Sequence, residues 1–500
     1  MEDSCSRAPQ FNGVESACME MTVVERAYVD ALVLSRPRLR ERVTDGAPPV
    51  ARHILEASIA QLSGDTAKAT TLLRAALRLA DAAERPFVAD LLAPIYFMQG
   101  RRTELDALLD GYAAAPADVS RLLHAMRAVA LAEAGETVAA RRIAGDIDPR
   151  EAGSPLSEAR LAQRLALVAF HARDFEAAIA LAERSAAIFG ELLAHRLRAT
   201  SFSILYLIAH AATRNAQDAL TWAQRMTESA ILADDRSFET VGLVAQYAIA
   251  AETFDRRTRD RLADQLRSNA YPPQYRERFA ARIADFLPLA WDKDFTAFAN
   301  GVMALRDGIA ATQPAKALCH ALLALSAVYA GDDESARENS RLALDCANLK
   351  TASRAPVYEQ RYCHLARALA AAACLMIGDT VRGQRIAASR TNKSDEDMRA
   401  IVAVAEGLRV ADAPLRIRGY AGVVAAVAER RALRDACPLT ESELEILKGI
   451  AEGYTAAEIA AESMRSVHTV RNHTRAIIAK FQVSGRLAAV AHARRLGIIA

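Results

Sequence analysis

From about Thr22 to Arg434 the apolar positions recur at the three-to-four-residue period of amphipathic helices, and no convincing strand pair interrupts them. The helical segments are broken by short turns that share a pattern. It reads LSGDTAKA around Gly64, AEAGETVAA around Gly135, HARDFEAA around Arg173, ATRNAQDA around Arg214 and YAGDDESA around Gly331. In all five an Ala follows the turn residue by five positions: Ala69, Ala140, Ala178, Ala219 and Ala336. Ala76-Leu77 after Gly64 and Ala343-Leu344 after Gly331 repeat at a second shared offset. Gly100 and Gly378 mark two weaker copies that lack the Ala.

Physically this predicts helix–turn–helix hairpins. Glycine supplies a left-handed cap that ends one helix, Asp or a small polar residue starts the next, and the Ala lets two helices approach closely. The turns lie about 35 to 41 residues apart, near the 34-residue tetratricopeptide period. Over roughly 300 residues the chain resembles tetratricopeptide-type repeats, although the Trp, Tyr and Pro of that pattern are mostly missing. The resemblance implies an α-solenoid whose concave face is the expected partner surface; a plain multi-helix bundle is the alternative. Breaks are expected at Asp148-Pro149 to Pro155, at Tyr271-Pro272-Pro273 and at Thr351 to Pro356. The run from Asn392 to Asp397 reads as a solvated helix start and not a metal site. Residues 1–20 read as a flexible tail, 21–436 as the helical repeat region and 437–500 as a separate C-terminal domain.

Charge is sharply divided in that C-terminal domain. From Glu441 to Glu462 there are six acids and one Lys; from Ser463 to the end there are six Arg, one Lys and no acid. The whole chain nets +2, and so does this domain, so everything before it nets zero. The basic half is therefore the electrostatic footprint for nucleic acid. Four short helices can be placed. The first runs from Thr440 to Glu452, with a Thr440/Glu443 capping box and the core stripe Leu444, Leu447 and Ile450. The second starts at Thr455 with a box to Glu458; the third is capped by Ser466 and runs from about Val467 to Lys480; the fourth spans roughly Gly485 to Leu496. Two short helices joined by Ser463-Met464-Arg465, then a longer basic one, form the helix-turn-helix arrangement.

Unrolled at about 100° per residue, the third helix turns Val470, Thr474, Ile477 and Phe481 to the core. His468, Arg471, Asn472 and Arg475 lie opposite, with His473, Ala476 and Lys480 on one flank. Arg reads guanine edges bidentately and Asn reads adenine, while flanking cations meet phosphates and position the helix.

The stretch LTESELEILKGIAEGYTAAEIAAESMRSVHTVRNHTRAIIAKFQVSGRLAAVAHARRLGIIA resembles a LuxR-type helix-turn-helix domain along its length. The matching residues are Leu439-Thr440, Glu443, Leu447, Gly453, Glu458-Ile459-Ala460, Ser466, Thr469-Val470, His473, Ile477, Lys480, Val483, Arg486, Ala489-Val490 and Gly497. The resemblance implies binding of double-stranded DNA by the third helix, dimerisation through the fourth, and phosphate contacts at Thr469, His473 and Lys480. Arg486, another matching position, joins the DNA-binding set. Three departures stand out. Ser442 sits where the family usually has Arg, and Arg471 replaces the commoner Lys. Ser463 replaces a core Leu, whose space Met464 is expected to fill. Leu487, Val490 and Ala491 on the fourth helix are expected to form the contact between two copies.

Composition narrows the rest. The chain of 500 residues is 52% hydrophobic, 25% charged and 6% aromatic, the balance of a globular helical protein of several domains. The longest apolar stretch, Ala368 to Ile377, is half of what a membrane span needs. The N-terminus has acids where a secretory signal needs Lys or Arg, so a cytoplasmic protein is expected; the regulator reading adds the expectation of a bacterial source. Seven Cys without a CxxC pair read as reduced and mostly buried. Cys363-His364 reads as core and rim, and Trp222 and Trp291 as core. His468 and His473 diverge on their helix and do not form a metal pair. No G-x-x-x-x-G-K-[ST] loop, receiver-type βα alternation or nucleophile–base constellation stands out. No enzyme activity and no cofactor are expected. The reading is a DNA-binding transcriptional regulator whose repeats receive a protein or small-molecule signal. Its rival is a repeat adaptor whose C-terminal domain binds protein.

Overall fold

In the computed structural model, described for residues 21–43, 47–112, 116–267, 279–308, 312–348, 357–388, 396–435, 439–496 and 498–499, every regular element is helical. The expected tail, the Tyr271–Pro273 and Thr351–Pro356 breaks, and Asn392 to Asp395 lie outside these residues. The Asp148–Pro155 break is a short 3-10 turn, Pro149–Glu151, and Glu396 opens a helix as expected.

The helices of the first part are α1 (Val23–Val33), α2 (Arg36–Arg42), α3 (Pro49–Leu62), α4 (Thr66–Leu79), α5 (Arg85–Met98), α6 (Arg102–Asp110), α7 (Ala117–Glu133) and α8 (Thr137–Gly145). They continue with α9 (Pro155–His171), α10 (Phe175–Glu191), α11 (His195–Leu207), α12 (Ala216–Ala233), α13 (Arg236–Glu252) and α14 (Arg256–Arg267). From α3 onward they pair as hairpins, α3 with α4, α5 with α6, α7 with α8, α9 with α10 and α11 with α12.

The turn pattern has the predicted geometry. Gly64, Gly135, Arg173, Arg214 and Gly331 all have positive φ, and so do Gly100 and Gly378 of the weaker copies. In five of these seven turns the next residue caps the following helix: the side chains of Asp65, Asp174, Asn215, Asp332 and Asp379 accept backbone N–H groups of its first turn, whereas Glu136 and Arg101 make no such bond. Ala69, Ala140, Ala178, Ala219 and Ala336 are each fully buried. A methyl at that depth is what allows the second helix of a hairpin to lie close against its neighbours. Further turns of the same kind were not legible by glycine. Leu193, Asp234, Phe254 and Lys293 also take positive φ, and Asp294 caps the helix after Lys293.

The chain divides into two compact units. The first takes residues 1–250, 255–282 and 354–359; the second takes 251–254, 283–353 and 360–500. Inside the first unit α1 packs on α3, α5 and α11. Its Tyr28 hydroxyl donates to Asp90 Oδ2 at 2.6 Å and accepts from Arg160. Asp90 also faces Arg160 Nη1 at 2.5 Å and Arg164 Nη1 at 2.8 Å, and all four residues are buried. Burial opposes ionisation of Asp90, yet Arg160 and Arg164 hold its carboxyl below the usual range. Nearby, the buried Asp235 accepts from the backbone of Phe238 at 3.0 Å and lies 3.8 Å from Arg196. Burial pushes its carboxyl up to about 6, against the pull of Arg196. Trp222 is half-buried and stacks on Phe202, with centroids 5.8 Å apart.

The second unit carries α15 (Phe279–Trp291, from Ile283 on), α16 (Phe295–Asp307), α17 (Gln313–Ala330), α18 (Asp333–Cys346), α19 (Val357–Met376, from Gln360 on), α20 (Thr380–Ala387), α21 (Glu396–Ala405) and α22 (Arg418–Asp435). Trp291 is core, as expected, and its indole N–H donates to the Gly419 carbonyl at 2.8 Å. Arg361 forks onto the Glu252 carboxylate at 2.6 and 3.1 Å in the interior. Cys363 is buried beside the half-buried His364, matching core and rim. Four further short helices close the chain: α23 (Glu441–Ala451), α24 (Ala456–Glu462), α25 (Val467–Phe481) and α26 (Arg486–Leu496). No described helix is long and apolar enough to cross a membrane.

Candidate nucleic-acid interface

The last four helices are cut from the sequence by their caps. Thr440 and Glu443 form a complete capping box on α23, and Thr455 and Glu458 form one on α24. Ser466 accepts the Thr469 N–H at 3.0 Å to start α25. Each cap stands at its predicted residue. Ile446, Leu447, Ile459, Ala460, Val470, Ile477, Phe481, Ala489, Val490 and Ala493 build the core of this small domain. The predicted stripe of α23 needs one correction. Ile446 and Leu447 are its buried apolar residues, while Leu444 and Ile450 are only partly buried against the core. Adjacent residues on a helix can both reach inward when neighbours pack on two sides, and α23 meets α25 and α26. Gly449 leaves room for α24: a Cβ there would stand 2.9 Å from Ile459 Cγ1.

The turn between α24 and α25 corrects a second expectation. Met464 does not replace the missing core Leu. It takes φ +50° and is 95% exposed, because the chain reverses there and throws the side chain outward. Ser463 instead turns its hydroxyl back onto the helix end, donating to the Ile459 carbonyl at 2.6 Å beside its own backbone N–H at 2.9 Å. Arg465 folds back, pairing with Glu445 at 3.1 Å and donating to the Ser442 hydroxyl at 3.1 Å. Ser442, the residue that departs from the family's Arg, thus receives an arginine from the turn.

On α25, His468, Arg471, Asn472 and Arg475 are all exposed on the face opposite the core, where unrolling placed them. Thr474 is partly buried and donates to the Val470 carbonyl at 2.8 Å. Arg471, Arg475 and, at the start of α26, Arg486 are exposed and take part in no ion pair among the described residues. Thr469 and His473 are half-buried at the edge of this face; the Thr469 hydroxyl lies 2.8 Å from that of Ser466. Lys480 differs from the others. Its ammonium donates to the buried Glu443 carboxylate at 2.6 Å. Burial works against ionisation of Glu443, but Lys480 and the Thr440 N–H together hold its carboxyl below the usual range. Sequence reasoning missed this pair, which joins positions 37 apart.

The predicted contact on α26 is divided. Leu487 is 74% exposed and Ala491 is exposed, whereas Val490 is buried in the core of its own domain. Val490 therefore cannot be an outward contact; on the α26 spiral it points inward beside Ala489 and Ala493.

No curated protein matches the chain. A solved structure titled "Crystal structure of APC/C hetero-tetramer Cut9-Hcn1" is similar at 14% identity and a TM-score of 0.25, covering 93% of this chain and 99% of that one. Residues 437–493 match the family described as bacterial regulatory proteins, luxR family, and this segment is a LuxR-type helix-turn-helix domain.

Proposed function

We propose that the chain is a transcription regulator that docks α25 in the major groove of duplex DNA and binds as a dimer. In this reading its helical hairpins receive a protein or small-molecule signal. The observation that carries it is the acid-free face of α25, on which Arg471 and Arg475 stand exposed and unpaired among the described residues of a LuxR-type domain. His468 and Asn472 extend that face. Thr469, His473, Arg486 and Lys480 are assigned to the phosphates, Lys480 after exchanging Glu443 for a phosphate oxygen. The exposed Leu487 and Ala491 are the surface offered to a second copy. An acidic or apolar face on α25 would favour the adaptor; its basic, acid-free face favours DNA. The test is selection of genomic fragments by the purified full-length chain. Enrichment of a discrete operator by wild type, lost in an R471A/R475A double variant, is expected; fragments retained equally by both would overturn the reading.

A further inference from the structure

In the first unit one described helix is seated across several hairpins. α1 is not half of a hairpin. It lies against the leading helices of several hairpins at once: α3, α5 and α11 by packing, and α9 through Arg160. Its C-terminal end joins the same group, where the Ser58 hydroxyl of α3 donates to the Ala31 carbonyl at 2.9 Å and Val33 packs with Ala159, Phe189 and Ala194.

The contact face of α1 consists of Val24, Ala27, Tyr28, Ala31 and Leu32, all buried, while Val23 and Arg26 on the other side are exposed. The spacing is i, i+3, i+4, i+7, i+8, the pattern with which an amphipathic helix lays one face into a groove. The floor of the seat has its own chemistry. Two buried guanidinium groups, Arg160 and Arg164, converge on one carboxylate, Asp90. The Tyr28 hydroxyl completes the set by donating to Asp90 and accepting from Arg160. A carbon in its place would leave buried charge without that partner, which is costly. The seat therefore selects a helix with small or branched apolar residues at four anchors and a hydroxyl at the i+4 anchor.

We propose that the seat formed by α3, α5, α9 and α11 is a helix-binding groove that α1 fills within the chain, and that an amphipathic helix of a partner protein with these anchors takes its place. This deepens the signal-receiving reading of the repeats and rests on that reading only for the effect on DNA.

The probe is a fluorescent peptide of residues 22–34, titrated into the full-length chain and into a full-length A27D/A31D variant whose charges unseat α1. Saturable binding to the variant, at least tenfold weaker to wild type, is expected, and Tyr28→Phe in the peptide should weaken it at least tenfold. Failure of the peptide to bind a variant of wild-type helicity would overturn the proposal. So would collapse of the first unit in that variant, because α1 would then be an indispensable part of the core. Hydrogen exchange on the wild-type chain gives an independent reading. α1 amides should exchange well before those of α5 and α9, whereas equal protection would overturn exchangeability. Peptide binding with unchanged operator affinity would leave the groove standing and remove only the regulatory reading.

Discussion

At the scale of single residues, the electrostatics of α25 make separable claims. Arg471→Ala and Arg475→Ala should each cost about 1–3 kcal/mol on a specific operator and much less on random duplex, since a bidentate base contact is lost. Competition titrations with the two DNAs measure the difference. Lys480 should behave otherwise, because its charge is already met by Glu443. Glu443→Gln keeps a capping side chain for Thr440 but frees the ammonium. The variant should bind all duplexes more tightly, with a salt slope steeper by about one; an unchanged slope would show that Lys480 does not reach the DNA. Asp235 makes a claim about pH. Its folded carboxyl titrates near 6 against an ordinary 3.8, so the folded state holds a proton that the unfolded state has released between those values. Stability of the first unit is then lost as pH rises from about 4 through about 6. Asp235→Asn, which can still accept from Phe238, should flatten that part of the profile in urea midpoints taken between pH 4.5 and 7.

At the scale of the element, the hairpin turn is the unit of design. A left-handed residue followed by a capping Asp or Asn recurs at Gly64, Arg173, Arg214, Gly331 and Gly378. For a non-glycine residue the left-handed well costs roughly 1–2 kcal/mol, so Arg173→Gly should leave the fold intact and raise its stability by up to about 1 kcal/mol, entropy taking the remainder. Gly331→Ala should do the reverse and by more, since φ is +84° and the new Cβ would stand 2.1 Å from the Arg434 guanidinium. Chemical denaturation of the two variants tests the pair. This is also where the sequence was most readable. Gly at a turn, Asp beside it and Ala five positions on are local signals, and all three have local causes. The turns at Leu193, Phe254 and Lys293 lack the Gly and the Ala: like Arg173 and Arg214 they hold a bulky residue in the left-handed well, but Arg198, Arg259 and Phe298, not Ala, stand five positions on. Met464 was misjudged because its φ of +50° turns an apolar side chain to solvent.

At the scale of the whole molecule, the C-terminal domain carries the chain's net charge of +2, and everything before it nets zero. Its core is drawn from its own four helices and closing residues. A fragment of residues 437–500 should accordingly fold as a helical domain and bind DNA weakly and in a salt-sensitive way, as circular dichroism and mobility shifts would record. Dimer formation is tested at Leu487, which is exposed, and not at Val490, whose charge substitution would break the core. Leu487→Glu should lower cooperative binding to a palindrome and spare a half-site; equal binding to the palindrome would remove α26 from the contact. The recognition face was legible because a single helix carries it and its period is known. The Tyr28–Asp90–Arg160–Arg164 cluster was not, because four buried polar residues on three helices meet only after the chain has folded, and no spacing announces them.

That cluster also sets a timetable. Tyr28 and Arg160 are 132 residues apart, and ribosomes add about 5–20 residues per second, so α1 emerges roughly 7–26 s before its partner is even made. During synthesis it is an amphipathic helix whose seat is incomplete: α3 follows at once and pairs with α4 as a hairpin, but α9 and α11 are not yet made. The first described helix of this chain is thus among the last to have its seat completed. Nascent chains stalled before α9 should leave Arg26 open to trypsin, and chains stalled well beyond α11 should shield it. For that interval the apolar face of α1 is displayed to the cell, and whatever guards it there must let go once the groove behind it is complete.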